Sequence, residues 1–596
     1  MAKFTPIKSP PPANISRFLG VNEAIGESQL KVGEALVVRN FRITQDYKLT
    51  KRQGYQKFVD TNAAIQSIWN GRIGEKDVII FCTNGKVYEY EGETETILLD
   101  ELIAEEVVTE IGTITDVPTQ IFYFNSKVYF INGTDYKEYN GTTYQDVEPY
   151  IPLIATGTPP TGGGDDFEEI NLLTGTKKQQ FLGNGTATAF TVREVNLDIA
   201  TTKAWVDGTE KTEDTDYTVN RTTGIITFTT APPNLAEVII QWTKEVAGNK
   251  ELVTKNKYAM LYGVSNDTSI FLWGNPDQIN RRSWSETLNA GYYPVFNFTL
   301  VGSNEYPITD IISVYDRQLI FKEDRTHYSF PEFVELLDKY DYPVRELNAT
   351  VGNEAFGQVQ LINNMPMSLH KQSIYSWVGT DVKDERNAQI ISERIRESLE
   401  QEDLTKAITY DLQREREYWI NIDDTVYVYN YGTDTFYMYT NIKATCFRDI
   451  NNTLYFGTET GIMVKQGVDD LEEPVESEII FGFVDWGVFE LRKNTRELYF
   501  SLLPAAQTSV KILFRTNRIN EFKEVSKLVE YRLFDLENIN FNAFSFKTNR
   551  NPQSFRRRFR AKKYTYIQFK FENKELGETA TILAFKVQSE SQGLER

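Results

Sequence analysis

The chain is poor in the residues from which most reactive sites are built. Its 596 residues include two cysteines, two histidines and six methionines. Cys82 in "VIIFCT" and Cys446 in "KATCFRD" are single thiols inside apolar runs, which excludes a disulfide framework and makes a buried thiol the expectation at each position. His327 in "DRTHYSF" and His370 in "SLHKQSIY" stand apart, so no zinc site of familiar spacing can be assembled from them. Each is expected as a hydrogen-bonded or exposed strand residue. Glycine loops of the Gly-x-x-x-x-Gly-Lys-Ser/Thr or Gly-x-Gly-x-x-Gly kind are missing, as is a Gly-x-Ser-x-Gly nucleophile elbow. No catalytic residue, metal or other cofactor is therefore expected. No apolar run approaches the ~20 residues that cross a bilayer, and "MAKFTPIKSPPPANISRFLG" lacks the continuous apolar segment of a secretory signal. The expectation is a soluble protein made in a cytosol, without membrane insertion.

Positive charge is also in deficit: 64 Lys and Arg against 84 Asp and Glu leave a formal net charge of -20. Such a balance argues against a protein that gains affinity by neutralising phosphates. What the chain has in quantity is aromatic surface. Tyrosine (33) and phenylalanine (37) dominate an aromatic content of 13%, interleaved with β-branched residues, a mixture suited to pleated sheets.

Apolar and polar residues alternate in short runs separated by Gly, Asn and Asp, the pattern of half-buried antiparallel strands joined by hairpins. It is clearest in "DVIIFCTNGKVYEYEGETETILL" from Asp77, "SKVYFINGTDYKEYNGTTYQDV" from Ser126, "REYWINIDDTVYVYNYGTDTFYMYTN" from Arg416 and "NTLYFGTETGIMVKQG" from Asn452. Asn84-Gly85, Asn132-Gly133, Asn140-Gly141, Asp423-Asp424 and Gly432 supply the turns. Each passage varies one unit, an apolar strand, a turn, and a strand closing on Tyr-x-Tyr. Recurring sheets of this kind predict propeller blades, although an open sandwich gives a similar pattern. The fold class is thus mainly β: a β-propeller with an inserted small β-sandwich module and a C-terminal β-sandwich. The domain reading is an N-terminal arm with the first part of the propeller at 1–170, the inserted module at 171–246, the rest of the propeller with one short helix at 247–470, and the C-terminal sandwich at 471–596. "TGTPPTGGGDDFEE" from Thr156 reads as a linker before the module. Ile391, Ile395 and Leu399, four apart, predict the helix between Asn387 and Glu402.

Two stretches hold candidate functional residues. In "GNPDQINRRSWSE" from Gly274, a turn leads to Arg281, Arg282 and Trp284, with Asp277 and Glu286 at either side. Two carboxylates at fixed separation suffice for glycoside hydrolysis, and Asp277 with Glu286, or Asp423 with Asp424, are the nominees. The competing reading is structural, with Asp277 and Asp423-Asp424 as turn residues. Arg281 and Arg282 are then expected to pair with acids and Trp284 to bury its ring at a domain or subunit contact. In "FRRRFRAKKY" from Phe555, a strand would place Arg556, Arg558, Arg560 and Lys562 on one face and Phe555, Arg557, Phe559 and Ala561 on the other. The cationic row suits an acidic protein partner or intramolecular pairing better than nucleic acid, given the chain's overall charge.

The segment "LGVNEAIGESQLKVGEALVVRNFRITQDYKLTKRQGYQKF" from Leu19 resembles the opening of structural proteins of bacteriophage tails, through its "GEA...RNF...L.KR.GY" arrangement. "GNPDQINRRSWSETLNAGYYP" followed by "ITDIISVYDRQLIFKED", "ISERIRESLEQ" followed by "KAITYD...YWINIDDTVYVYNY", and "ELRKNTRELYFSLLP" are similar to further segments of that group. The resemblance covers 19–150 and 258–596, and the inserted unit resembles small β modules of tail and fibre proteins. It implies a non-enzymatic tail nozzle, or head-to-tail connector extension, of a short-tailed phage. Such a protein forms a cyclic homo-oligomer, a hexamer, below the portal and adaptor. It meets other tail proteins and fibres, and it conducts DNA without binding it specifically. Its place is the virion, after assembly in the host bacterial cytoplasm. An acidic lumen suits passing DNA, so the negative charge is expected to face the channel and "FRRRFRAKKY" a neighbouring protein. A receptor- or carbohydrate-binding tail protein, with a host surface glycan as partner, and a tail-borne glycosidase are the other readings.

Overall fold

Alternation of β-branched and aromatic residues with polar ones is realised as antiparallel strands joined by tight turns, and the molecule is mainly β. The computed structural model describes residues 9–91, 97–98, 108–200, 202–264, 266–335, 339–379, 385–525, 529–534 and 547–594. Parts of two expected strand runs, at 92–96 and at 535–536, lie outside the described residues. The chain divides into two compact units, one of Met1–Ile68, Gly92–Val108 and Val351–Arg596, the other of Trp69–Glu91 and Thr109–Thr350.

Four-stranded meanders recur in both. In the second unit they are formed by Ile65–Ile73 (entered from the first unit), Lys76–Thr83, Lys86–Tyr90 and Val108–Thr113; by Gln120–Phe124 to Tyr144–Asp146; by Tyr258–Tyr262 to Phe298–Leu300; and by Ile308–Val314, Arg317–Lys322, Thr326–Ser329 and Val344–Asn348. In the first unit Gln360–Ile362 to Ala388–Ile390 form one, and Ile408–Leu412 to Thr435–Thr440 make another that continues through Glu34–Arg39 into Ser477–Phe481 and the C-terminal strands as one eleven-stranded sheet. A further one begins with Cys446–Ile450, Thr453–Gly457 and Gly461–Val464 but takes its next strand, Gln56–Asp60, from the N-terminal side of the chain.

Turn chemistry explains the tightness of these sheets. Asn84-Gly85, Asn125-Ser126, Asn363-Asn364, Lys371-Gln372 and Asn451-Asn452 each join two strands with both residues at positive φ, the turn whose twist matches that of the strands. Asp423, at φ 51, turns Glu417–Ile422 into Thr425–Asn430. Asn132 and Asn140 accept bonds from the backbone N–H groups two and three residues on, at 2.7 to 3.0 Å, and so close their turns locally.

The module in the second unit consists of two sheets. Thr176–Asn184, Asn234–Thr243, Lys203–Val206 and Thr209–Lys211 lie in one, Ala189–Thr191, Ile225–Phe228 and Tyr217–Asn220 in the other. Phe181, Phe190, Phe228, Tyr217 and Trp242 form their shared core. The stretch expected as a linker is partly strand: Leu153–Thr158 runs parallel to Thr176–Asn184, and Asp165–Asp166 folds back on it. Gly162, Gly163 and Gly164, all at positive φ near 90°, make that reversal possible.

The C-terminal strands also form two sheets. Leu491–Leu503 lies between Gln553–Tyr564 and Thr581–Leu594, and the second sheet aligns Ser477–Phe481, Ile567–Asn573, Gln507–Thr516 and Ile519–Glu524. Phenylalanines fill the space between, with ring centroids 4.8 Å apart for Phe571–Phe585 and Phe514–Phe559 and 5.0 Å for Phe481–Phe585. Strands from the start of the chain complete both sheets. Ala13–Ile15 and Leu49–Lys51 pair with Thr581–Leu594, and Glu34–Arg39 pairs with Ser477–Phe481. The helix expected from Asn387 to Glu402 is reduced to Glu393–Ile395 and Arg396–Leu399, while Ala388–Ile390 is a strand. Ile395 and Leu399 are buried and Ile391 packs on the same core, so the apolar spacing served packing without a longer helix.

Candidate functional site

The segment around Arg282 is built as a sheet interior. Asn275 accepts a bond from the Asp277 N–H at 2.9 Å and donates to the Glu251 carbonyl at 3.0 Å, which closes the turn and leads into Arg281–Trp284, the third strand of its meander. Arg281 lies 3.8 Å from the centroid of the Phe298 ring, and its Nε donates to Ser283 Oγ at 2.9 Å. Arg282 is completely buried, lies beside the rings of Phe271 and Trp284, and donates to Gln318 and to the Tyr342 carbonyl at 2.7 Å. Neither forms an ion pair among the described residues; amide, carbonyl and aromatic partners take the place of the expected acids. Burial pushes both guanidiniums down, to about 10, and at Arg282 it outweighs the opposing pull of Tyr262 and Asp341. Trp284, 6% exposed, packs with Tyr262, Phe271 and Tyr342 of its own unit.

The carboxylates of this segment lie outside that interior. Asp277 is exposed and bonded to Lys255 at 2.5 Å, and Glu286 is exposed in a turn in which its N–H meets the Tyr292 carbonyl. Asp423 and Asp424 are exposed turn residues. His327 is buried, its pKa pushed down to about 4 by burial and then by Lys322, and His370 is buried 3.5 Å from Glu354. Cys82 is buried; Cys446 is half-buried, and burial of its sulfur pushes the thiol up to about 11. Among the described residues no three of His, Cys, Asp and Glu gather as a metal-binding group.

The basic stretch does form a strand, Gln553–Tyr564, and Arg556, Arg558, Arg560 and Lys562 are exposed along it while Phe559 and Ala561 are buried. Among the described residues it pairs only with Leu491–Leu503 and stands at the edge of their sheet. Register sets Arg556 opposite Tyr499 and Arg558 opposite Glu497, with Lys586 beyond Tyr499 on the next strand. Arg556 bonds Glu497 through Nε at 2.6 Å and holds that carboxyl below its ordinary range. Arg558, Arg560 and Lys562 have no ion pair among the described residues.

Sequence reasoning missed a polar cluster in the first unit. Glu417 is fully buried and accepts from Arg42 at 2.9 Å, Tyr437 at 2.9 Å, Trp419 Nε1 at 2.9 Å and Tyr439 at 3.4 Å. Arg42 also reaches Glu415 at 3.2 Å, and Lys465 bonds Glu415 at 2.7 Å. Burial alone would raise the Glu415 carboxyl, but Lys465 and Arg42 outweigh it and hold the group low. Burial likewise opposes the charge on Arg42, and Glu417 and Glu415 overcome it to raise its pKa. The only signal in the sequence was an acid, Glu417, at the head of the mostly apolar strand "EYWINI", where an unpaired charge would be costly.

No family model and no curated protein matches the chain. Among solved structures it is similar to the extracellular domain of a hybrid two-component system from B. thetaiotaomicron, with a TM-score of 0.34 and 9% identity over 80% of this chain. The match covers 46% of that chain, less than half its length. It is also similar to a BBS1 domain solved with ARL6 (TM-score 0.24, 10% identity, 71% of this chain and 100% of that one). A third is an exo-β-1,3-galactanase from Phanerochaete chrysosporium (TM-score 0.16, 8% identity, 80% and 96%). Likeness at this level does not bear on function.

Proposed function

We propose that the protein is a non-enzymatic structural component of a bacteriophage tail, a propeller carrying an inserted and a C-terminal β-sandwich, which assembles as a ring below the portal and adaptor and conducts DNA. The resemblance of its segments to tail proteins suggests the setting. The propeller reading is supported by the succession of four-stranded meanders, the last of which borrows a strand from the start of the chain. The observation that carries the docking role is the exposed row of Arg556, Arg558, Arg560 and Lys562 on an edge strand of a chain with net charge -20. A cationic edge blunts unspecific strand addition and favours an acidic protein neighbour, another copy of this chain or the adaptor. Replacing Arg556, Arg558 and Arg560 by glutamate is expected to weaken ring formation, alone or with portal and adaptor, at least tenfold in sedimentation and negative-stain imaging. Unchanged assembly would overturn the docking role, and release of sugar from host envelopes would overturn the non-enzymatic reading.

A second reading, a carbohydrate-binding tail protein, is favoured by the inserted module. Its partly exposed Trp205, and Phe167, 65% exposed in the stretch just before the module, present rings on which a sugar can stack. Glycan-array binding by the full chain, lost on replacing both rings by alanine, would support it.

A further inference from the structure

The cluster around Glu415 borders a cavity of about 840 Å³ whose chemistry is opposite to that of the chain as a whole. Five cationic residues line it, Arg42, Lys51, Arg52, Arg414 and Lys465, against one acid, Glu415. Two of the cations are committed to the fold. Arg52 is locked on Asp470 by bonds of 2.8 and 2.5 Å, and Lys51 on Asn573 at 2.7 Å and the Glu578 carbonyl at 2.9 Å. The other three keep donors in reserve. Lys465 has three ammonium hydrogens and a single carboxylate partner. Arg414 is exposed and uses one of its five N–H groups, on the Asn452 carbonyl at 2.7 Å. Arg42 shares its terminal nitrogens between Glu415 and Glu417, while its buried Nε has no partner among the described residues. Three positive charges thus face two carboxylates, and the surplus falls at Arg414, on the open side.

We propose that this cavity binds a small polyhydroxylated ligand carrying an oxyanion, a carboxylate, sulfate or phosphate. Arg414 and Lys465 would engage the anion, and Gln45, Thr453 and Gln466 on the remaining wall offer amide and hydroxyl groups to a polar body. A metal ion would meet cations here, and a long polyanion such as DNA is repelled by the surrounding acidic chain. Hydrolytic chemistry has no acid to use: Glu417 is sealed beneath its four donors, and Glu415 is tied to two cations. The proposal does not depend on a place in a phage tail.

The test titrates the full-length chain by calorimetry at low ionic strength with inorganic phosphate, sodium sulfate, glucuronate and neutral glucose. At least one anion is expected to bind, and at least tenfold more tightly than glucose. Tighter binding of glucuronate than of phosphate or sulfate is expected and assigns the site to acidic saccharides; the reverse order would overturn the polyhydroxylated ligand. Arg414→Ala, which removes only an exposed side chain, is expected to raise the dissociation constant at least tenfold with the thermal unfolding midpoint unchanged. Lys465→Gln provides a second variant. Absence of binding by every anion up to 10 mM, or unchanged affinity in Arg414→Ala, would overturn the proposal.

Discussion

At the scale of single residues, the buried charge of Glu417 is held by a nearly complete set of donors. Glu417 has four donors on two carboxylate oxygens, and truncating it would strand Arg42, Trp419 and two tyrosine hydroxyls in the interior. Glu417→Ala is therefore expected to cost about 3–5 kcal/mol in urea unfolding, because breaking one side of a buried pair leaves its partner uncompensated. His327 has the opposite problem, since the fold holds it neutral. Its pKa falls from 6.5 to about 4, so its share of stability is complete above pH 6.5 and is lost as pH drops from there toward 4. The slope is roughly 1.4 kcal/mol per pH unit at most. The unfolding free energy of His327→Gln should fall less steeply than wild type between pH 6.5 and 5; equal slopes would assign the pH dependence to other groups. The alternation of Arg556 to Lys562 and the turn role of Asp423 were readable because both depend on neighbours in sequence. The Arg42–Glu417 pair was not, because nothing local announces which distant strand will supply the partner of a buried acid.

At the scale of elements, hairpins were legible wherever Asn-Gly marked them, while Lys371-Gln372 adopts the same positive-φ turn with no such signature, held by the pairing of the strands on either side. Apolar spacing at 391, 395 and 399 located a packed segment correctly and its helical length incorrectly, since the strand Ala388–Ile390 claims the first turn for a sheet. The pairing of Gly461–Val464 with Gln56–Asp60 had no sequence signal at all. Its tightest point is Gly461, where a Cβ would come within 2.1 Å of the Val59 carbonyl oxygen. Gly461→Ala must push two paired strands apart, and a loss of about 1–3 kcal/mol in urea unfolding is expected. A neutral result would mean that this pairing contributes little to the stability of its unit.

At the scale of the whole molecule, composition conveyed the β class and the acidic balance, and the local alternation conveyed strands, but not their assignment to sheets. Strands near the start of the chain lie beside its last strands, a non-local arrangement that period-two patterning cannot encode. The charge contrast has a consequence for assembly: a contact made by an exposed cationic row should weaken as the screening length shrinks from about 10 Å at 0.1 M salt to about 3 Å at 1 M. Assembly of the proposed ring, measured across that range, should therefore decline with salt in the wild type and rise with salt in the triple glutamate variant, where the screened interaction is a repulsion from the acidic neighbour.

The borrowed strand also imposes an order on biosynthesis. Gln56–Asp60 and the strands before it leave the ribosome long before Gly461–Val464 and Thr581–Leu594 exist. At the usual pace of translation that interval is on the order of tens of seconds to more than a minute. Throughout it the nascent amino-terminal segment carries unpaired edges, so folding of that unit waits until the later strands have emerged, and chaperone demand should be concentrated there.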